Sequence, residues 1–229
     1  MRRSLVVSPQ FSTQIPQSPF ARLLFCDTRF AWIWLIVRLL VGYQWLTSGW
    51  SKLTGYSISF DTFGHATHGG SWIFGKQSGI ALTLFVKGAL LKTGGTIPLV
   101  QGWYATFLQH IVLPNAAYFT YIITFGELLV GLGLIVGAFT GIAASFGVFM
   151  NLNYLLAGSI SINPPLAIGA LFLILAWRIS GFYGLDRYLI PLLGTPWTGP
   201  LHRVQKNDNP ANRVETDEEE LREGLSSIL

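Results

Sequence analysis

Charge is scarce in this chain. Asp, Glu, Lys and Arg make up 11% of its 229 residues, against about 25% in soluble domains. Cysteine is scarcer still: Cys26 stands alone, which excludes an internal disulfide, a CxxC redox pair and a thiolate metal cage. The four histidines, His65, His68, His110 and His202, fall outside the long apolar runs, and the two methionines are Met1 and Met150. The apolar runs therefore carry no ligand set for haem, an iron–sulfur cluster or another metal. Any redox chemistry would have to move electrons through bound organic molecules or a partner subunit.

What the chain has in quantity is apolar length. Its hydrophobic fraction is 51% with 14% aromatics, and its mean hydropathy is +0.47. Composition of that kind belongs to the membrane class. A net charge of +4 does not point to nucleic acid, because the basic residues cluster toward the two ends and flank apolar spans, which is an orientation signal.

Four spans are predicted: Phe30 to Gly49, about Tyr118 to Phe139, about Gly141 to Ala157, and about Pro165 to Ile179. A crossing needs about 20 mostly apolar residues, and the fourth is short for one. Only a residue or two around Thr140 joins the second span to the third, so those two must be antiparallel neighbours. The expected fold is an all-α membrane protein, a four-transmembrane-helix bundle over residues 30–199. An interfacial helical insertion over residues 53–117 separates helices 1 and 2.

Within that insertion, Ser78 to Leu91 is apolar but interrupted by Lys87. Gly102 to Leu113 sets Trp103, Phe107 and His110 at amphipathic spacing, the stripe of a helix lying at the membrane surface. Residues 1–29 read as an N-terminal arm lacking a signal-peptide core, and residues 200–229 as a polar, acidic tail. The loops joining the later spans carry no lysine or arginine, while both ends are basic. The positive-inside rule then predicts a multi-pass protein of the cell membrane with both termini cytoplasmic. No internal repeat supports an inverted-repeat transporter.

Arg38 sits inside the first span, where a charge costs roughly 2.5 to 3.5 kcal/mol on insertion scales. Glu127, inside the second, is the acid within the later apolar runs. Counted from the predicted span ends, Arg38 comes to roughly 12 Å from the cytoplasmic face, Glu127 to roughly 16 Å and Asn151 to roughly 15 Å. The sequence therefore predicts a buried Arg38/Glu127 pair near the midplane, serving either helix register or a substrate or proton site. Arg38, Gly42, Trp45, Gly49 and Lys52 share one helical face; Thr124, Glu127 and Gly131 share another; Gly147, Asn151 and Tyr154 a third. Asn151 and Tyr154 suit hydrogen bonding between helices. His65 and His68 have ligand-like spacing, but apart from Asp61 no acid or cysteine cluster stands beside them to complete a metal site.

Several of these stretches resemble the DoxX/DoxD family. They are Arg38 in the first span, the GWSK at Gly49 to Lys52, FGELLVGLGLIVGAFT from Phe125 to Thr140, NLNYLLAG beginning at Asn151, and the closing GFYGLD. The resemblance covers roughly Trp32 to Leu193. It implies a four-helix membrane protein. In the DoxD branch that is the membrane subunit of thiosulfate:quinone oxidoreductase, which couples two thiosulfates to tetrathionate, reduces a membrane quinone and works with a DoxA-type subunit.

On that resemblance Arg38 and Glu127 are the candidate catalytic residues. Arg38, Lys52, Asn151 and Tyr154 would bind substrate, and Trp103 and His110 would contact the quinone. The expected partners are the lipid bilayer and a DoxA-type or other soluble oxidoreductase subunit, with no nucleic acid, and a homo-oligomer stays open. The same residues would equally suit a membrane scaffold for a soluble oxidoreductase, or a carrier of small anions.

Overall fold

The computed structural model describes residues 23–25, 27–67, 70–74 and 78–193. Cys26, His68, His202, most of the N-terminal arm and the whole acidic tail lie outside the described residues. Among those described, the chain is all helical. The helices are Ala31–Thr54 (α1), Ile80–Leu90 (α2), Gly102–Phe107 (α3), Ala116–Val136 (α4), Thr140–Leu156 (α5), Asn163–Leu175 (α6), Trp177–Ser180 (α7) and Asp186–Leu193 (α8). One isolated antiparallel bridge, Tyr56 to Ala66, pins the loop after α1.

Two helices, α1 and α4, are long and apolar enough to cross a membrane. Their 24 and 21 residues correspond to about 36 Å and about 32 Å of rise. Helices α5 and α6 are apolar but shorter. Each of the two long helices ends at a glycine in the left-handed region, Gly55 at φ 80° and Gly137 at φ 71°, where a side chain would be strained. Apolar residues cover the outside of the bundle as well as its interior: Leu40, Ile122, Leu129, Phe146, Phe149 and Leu171 are all exposed. Helices that are hydrophobic all round belong in a membrane or inside a larger assembly.

The register of the bundle is set where α1 and α4 run antiparallel. Small residues let the two backbones close up at successive turns. A Cβ on Gly42 would meet Leu134 and Ile135, one on Gly131 would strike the Leu46 backbone, and one on Gly49 would strike Leu128. Helix α5 packs antiparallel on α4 in turn, with Gly133 against Ala143 and Gly126 against Met150, as the short connection requires. Trp34, Val41, Trp45, Leu134 and Leu173 form the core between α1, α4, α5 and α6.

The segment between α1 and α4 contains the helical insertion that the sequence predicts. It forms a second core, in which Val86 of α2 and Tyr104 and Leu108 of the α3 stretch pack with Ala116 and Ala157. The buried face of the α3 stretch is a different one from the Trp103, Phe107 and His110 stripe. Tyr104, Leu108 and Val112 are buried, while Trp103 is 64% exposed and His110 is also exposed. A π turn over Leu108–Val112 adds a residue to the turn, which keeps Leu108 and Val112 facing inward.

Candidate functional site

Among the described residues, buried charge gathers in two clusters, one toward each end of α1. Arg38, near the start of that helix, is 1% exposed. Its guanidinium fills the space between the α4–α5 turn and the closing GFYGLD segment. Nη2 donates to the Tyr183 carbonyl at 3.5 Å, and a Cβ on either Gly137 or Gly184 would run into Nη1. The opposite charge acting on it is Asp186. That carboxylate accepts from the backbone N–H groups of Phe139 at 2.5 Å and Thr140 at 2.8 Å. Asp186 therefore caps α5 from 46 residues further along the chain, at the helix end where the backbone dipole favours an anion. Its own N–H donates to the Gly137 carbonyl at 2.8 Å. The result is a clasp that locks the closing segment onto the α4–α5 turn.

The second group lies at the far end of α1. Glu127 of α4 is 1% exposed, and Lys52 of α1 approaches it with Nζ 2.5 Å from Oε2. Tyr154 of α5 donates its hydroxyl to the other oxygen, Oε1, at 2.5 Å. Lys52 Nζ also donates to Ser48 Oγ at 2.7 Å and stands 5.2 Å from the centroid of the Trp72 ring. Three helices and the loop after α1 thus converge on one carboxylate. All of its buried charge is met by hydrogen bonds, the condition under which an ion pair survives at low dielectric.

The expected Arg38/Glu127 pair is not formed, and the antiparallel register explains why. Glu127 packs level with Gly49, whose Cβ would lie 3.1 Å from that of Glu127. Arg38 is eleven residues back along the same helix, about 16 Å away at 1.5 Å per residue. Depth counted from the ends of apolar runs misplaced the pair, because the helix ends are not level: Gly137, at the close of α4, packs on Arg38, the eighth residue of α1. Arg38 and Lys52 are separated by about 21 Å on the same helix. They cannot hold one small anion between them.

Two cavities adjoin the Glu127 group. One, of about 770 Å³, is polar; Lys52, Glu127, Tyr154, Ser48, His65 and Trp72 contribute to its wall. The other, of about 790 Å³, is an apolar groove between α2 and α3 on one side and α4 and α5 on the other. Phe85 and Tyr154 line both, so these two side chains form the partition. The groove carries few polar atoms. Tyr104 donates its hydroxyl to the Asn153 carbonyl at 3.0 Å and lies 3.1 Å from the Asn153 side-chain oxygen, and burial pushes the Tyr104 phenol up to about 12.

Glu127, Lys52 and Tyr154, all candidates from the sequence, are therefore brought together. Arg38 is taken into a separate structural clasp. Asn151 is fully buried and lines neither cavity. Trp103 and His110 do not line the groove either, since the inward face of α3 belongs to Tyr104 and Leu108. Ser48, Trp72, Phe85 and Asn153 complete the site. Asn153, two residues from Asn151 and so on another face of α5, was the one with a visible signal. Among the described residues no group of three His, Cys, Asp or Glu side chains is placed to hold a metal ion.

No protein-family model, no curated protein and no solved structure matches this chain.

Proposed function

We propose that the chain is the membrane-embedded subunit of a quinone-linked redox system. Its polar cavity takes a small oxyanion substrate and its apolar groove takes the quinone. The observation that carries this reading is the position of Tyr154. Its ring separates the two cavities, and its hydroxyl is bonded to a carboxylate that opens on the polar side.

In this reading α1, α4, α5 and α6 cross the bilayer and their outward apolar residues meet lipid. The basic residues Arg29, Arg178 and Arg187 lie toward the Arg38 end, which the positive-inside rule assigns to the cytoplasm. The polar cavity then opens on the opposite side. Thiosulfate is the substrate that the motif resemblance suggests, and the balanced reaction is two thiosulfates plus quinone plus two protons giving tetrathionate plus quinol.

A bound quinone accepts two electrons and two protons, and its ring would lie in the groove beside Tyr154, Tyr104 and Asn153. Lys52 supplies the cation for the anionic substrate as a charge-assisted donor. Glu127 and Tyr154 form a two-member path for protons from the polar cavity to the groove, the role that buried ionisable groups take within membranes. Phe85 keeps bulk water out of the partition. Arg38 serves the fold in this scheme, not the chemistry.

The test is thiosulfate-dependent reduction of a short-chain quinone analogue in membranes carrying this chain, with a DoxA-type partner supplied. Glu127→Gln and Tyr154→Phe, compared at equal insertion, should each lower the rate strongly. Absence of activity in every sample would instead favour a scaffold, which should lose a co-purifying partner on removal of residues 200–229, or a solute carrier, which should move labelled anion into liposomes without quinone.

A further inference from the structure

In the structure Lys52 is already neutralised by Glu127, which raises the question of how the cavity could accept an anion. Both oxygens of Glu127 are engaged, one by Lys52 and one by Tyr154. The Lys52 ammonium has three N–H donors; two go to Glu127 and Ser48, and the third remains for the cavity. An oxyanion bound there sits within a few ångströms of the Glu127 carboxylate. Like charges at that separation in a low-dielectric site cannot both stay ionised cheaply.

We propose that the oxyanion and a proton enter together: the anion takes Lys52 from Glu127, and Glu127 takes up a proton. The exchange converts Glu127 from a repelling acceptor into a donor, because a protonated carboxyl carries one O–H. It also leaves a transferable proton beside the Tyr154 hydroxyl, on the polar side of the partition. This rests on the reading of the polar cavity as an anion site and adds the coupling to it.

The groups that face Glu127 limit where else the proton could go. Lys52 faces it from α1 and Tyr154 from α5. His65 lies on the cavity wall in the loop after α1. Tyr104 stands behind Tyr154 on α3, while Phe85 on α2 and Asn163 on α6 carry no charge. Arg38 and Asp186 are at the other end of the bundle. Of these groups, His65 is the other one on the cavity wall with a free acceptor for a proton, which makes it the comparison residue.

The experiment is calorimetric titration of the purified chain, in nanodiscs of neutral lipid, with thiosulfate and with redox-inert sulfate. It is run at several pH values in buffers of different ionisation enthalpy. The expected result is uptake of about one proton per anion, with affinity falling as pH rises, by about tenfold per unit where the uptake is complete. In Glu127→Gln the uptake should vanish and the affinity lose its pH dependence, whereas in His65→Ala each anion that binds, at whatever affinity the altered wall leaves, should still bring in its proton.

Anion binding without proton uptake by the native chain overturns the coupling alone, and it does so whether or not Glu127→Gln folds. Uptake that persists in Glu127→Gln, or that disappears in His65→Ala, overturns its assignment to Glu127. Failure of the folded native chain to bind either anion overturns the coupling together with the anion reading of the cavity.

Discussion

Lys52 Nζ and Glu127 Oε2 stand 2.5 Å apart between α1 and α4, with the lysine side chain 13% exposed and the glutamate 1%. The pair joins the last turns of α1 to the middle of α4, and between those two helices the chain makes a 61-residue excursion, residues 55–115, through the insertion and its cavity walls. Removing either partner strands a charge that water barely reaches. Such losses run to about 3 to 5 kcal/mol, whereas replacing both partners together is often close to neutral. Lys52→Met should therefore lower the thermal unfolding midpoint in detergent more than the double variant Lys52→Met/Glu127→Gln does. A double variant less stable than Lys52→Met alone would show that the pair does not carry the coupling assigned to it.

The Arg38 clasp gives an independent prediction, because Gly184 approaches it without needing a left-handed backbone. A Cβ there would meet both the Arg38 guanidinium and the Gly137 backbone. Overpacking of this kind typically costs about 1 to 3 kcal/mol. Gly184→Ala should lower the unfolding midpoint, and Arg38→Ala in the same chain should return part of the loss by making room. Gly137→Ala should cost more than Gly184→Ala, since its φ of 71° adds backbone strain to the same collision. Equal midpoints for native and Gly184→Ala proteins would rule the close approach out.

Asp186 does two things in that clasp, and one substitution separates them. Asn in its place keeps an oxygen to accept from one of the two N–H groups at the start of α5 but removes the charge that Arg38 meets. Losing a charged cap costs about 1 kcal/mol, and leaving a buried guanidinium without its counter-charge adds more. Asp186→Asn should thus destabilise the protein more than a helix cap alone explains, and the excess should shrink when Arg38 is Ala. Hydrogen exchange at Phe139 and Thr140 is the local readout. Unchanged protection there would mean that the cap is not formed.

Composition and spacing were enough to read the helical class and to single out Arg38, Glu127, Asn151 and Tyr154 as polar groups inside apolar helices. They were not enough to pair those residues. Arg38 and Glu127 looked like partners because depth was counted from the ends of apolar runs, and Lys52 seemed to lie at the interface because its run ended at Gly49. Helix α1 continues through Ser51 to Thr54, and that extra turn brings Lys52 onto Glu127. The GFYGLD motif was visible as a string, but its purpose depends on a contact across 145 residues, from Tyr183 to Arg38, which no local pattern encodes. On α3 the π turn at Leu108–Val112 is invisible to a count at 3.6 residues per turn, so the pairing of Leu108 with Val112 on the buried face could not be read from spacing.

Tyr154 offers the sharpest functional prediction, because its ring and its hydroxyl have separable jobs. The ring is part of the partition, 6.0 Å from Phe85 and nearly perpendicular to it, and 6.5 Å from Trp45. Tyr154→Phe keeps that wall and the fold but takes away the hydroxyl that bonds Glu127 Oε1. If the hydroxyl passes protons to the groove, quinone reduction should slow by about 100-fold or more, within the range of lost general acid–base catalysis. The KM for the anion should change little, because Lys52 is untouched. A smaller residue such as Ala should, by contrast, also raise the KM for quinone by opening the partition. Stability should distinguish a proton-transfer role from mere support, since losing one hydrogen bond to a charged group costs only about 1.5 to 3 kcal/mol. A Tyr154→Phe protein that reduces quinone at the native rate would remove Tyr154 from the proton path and with it the main support for a quinone in the groove.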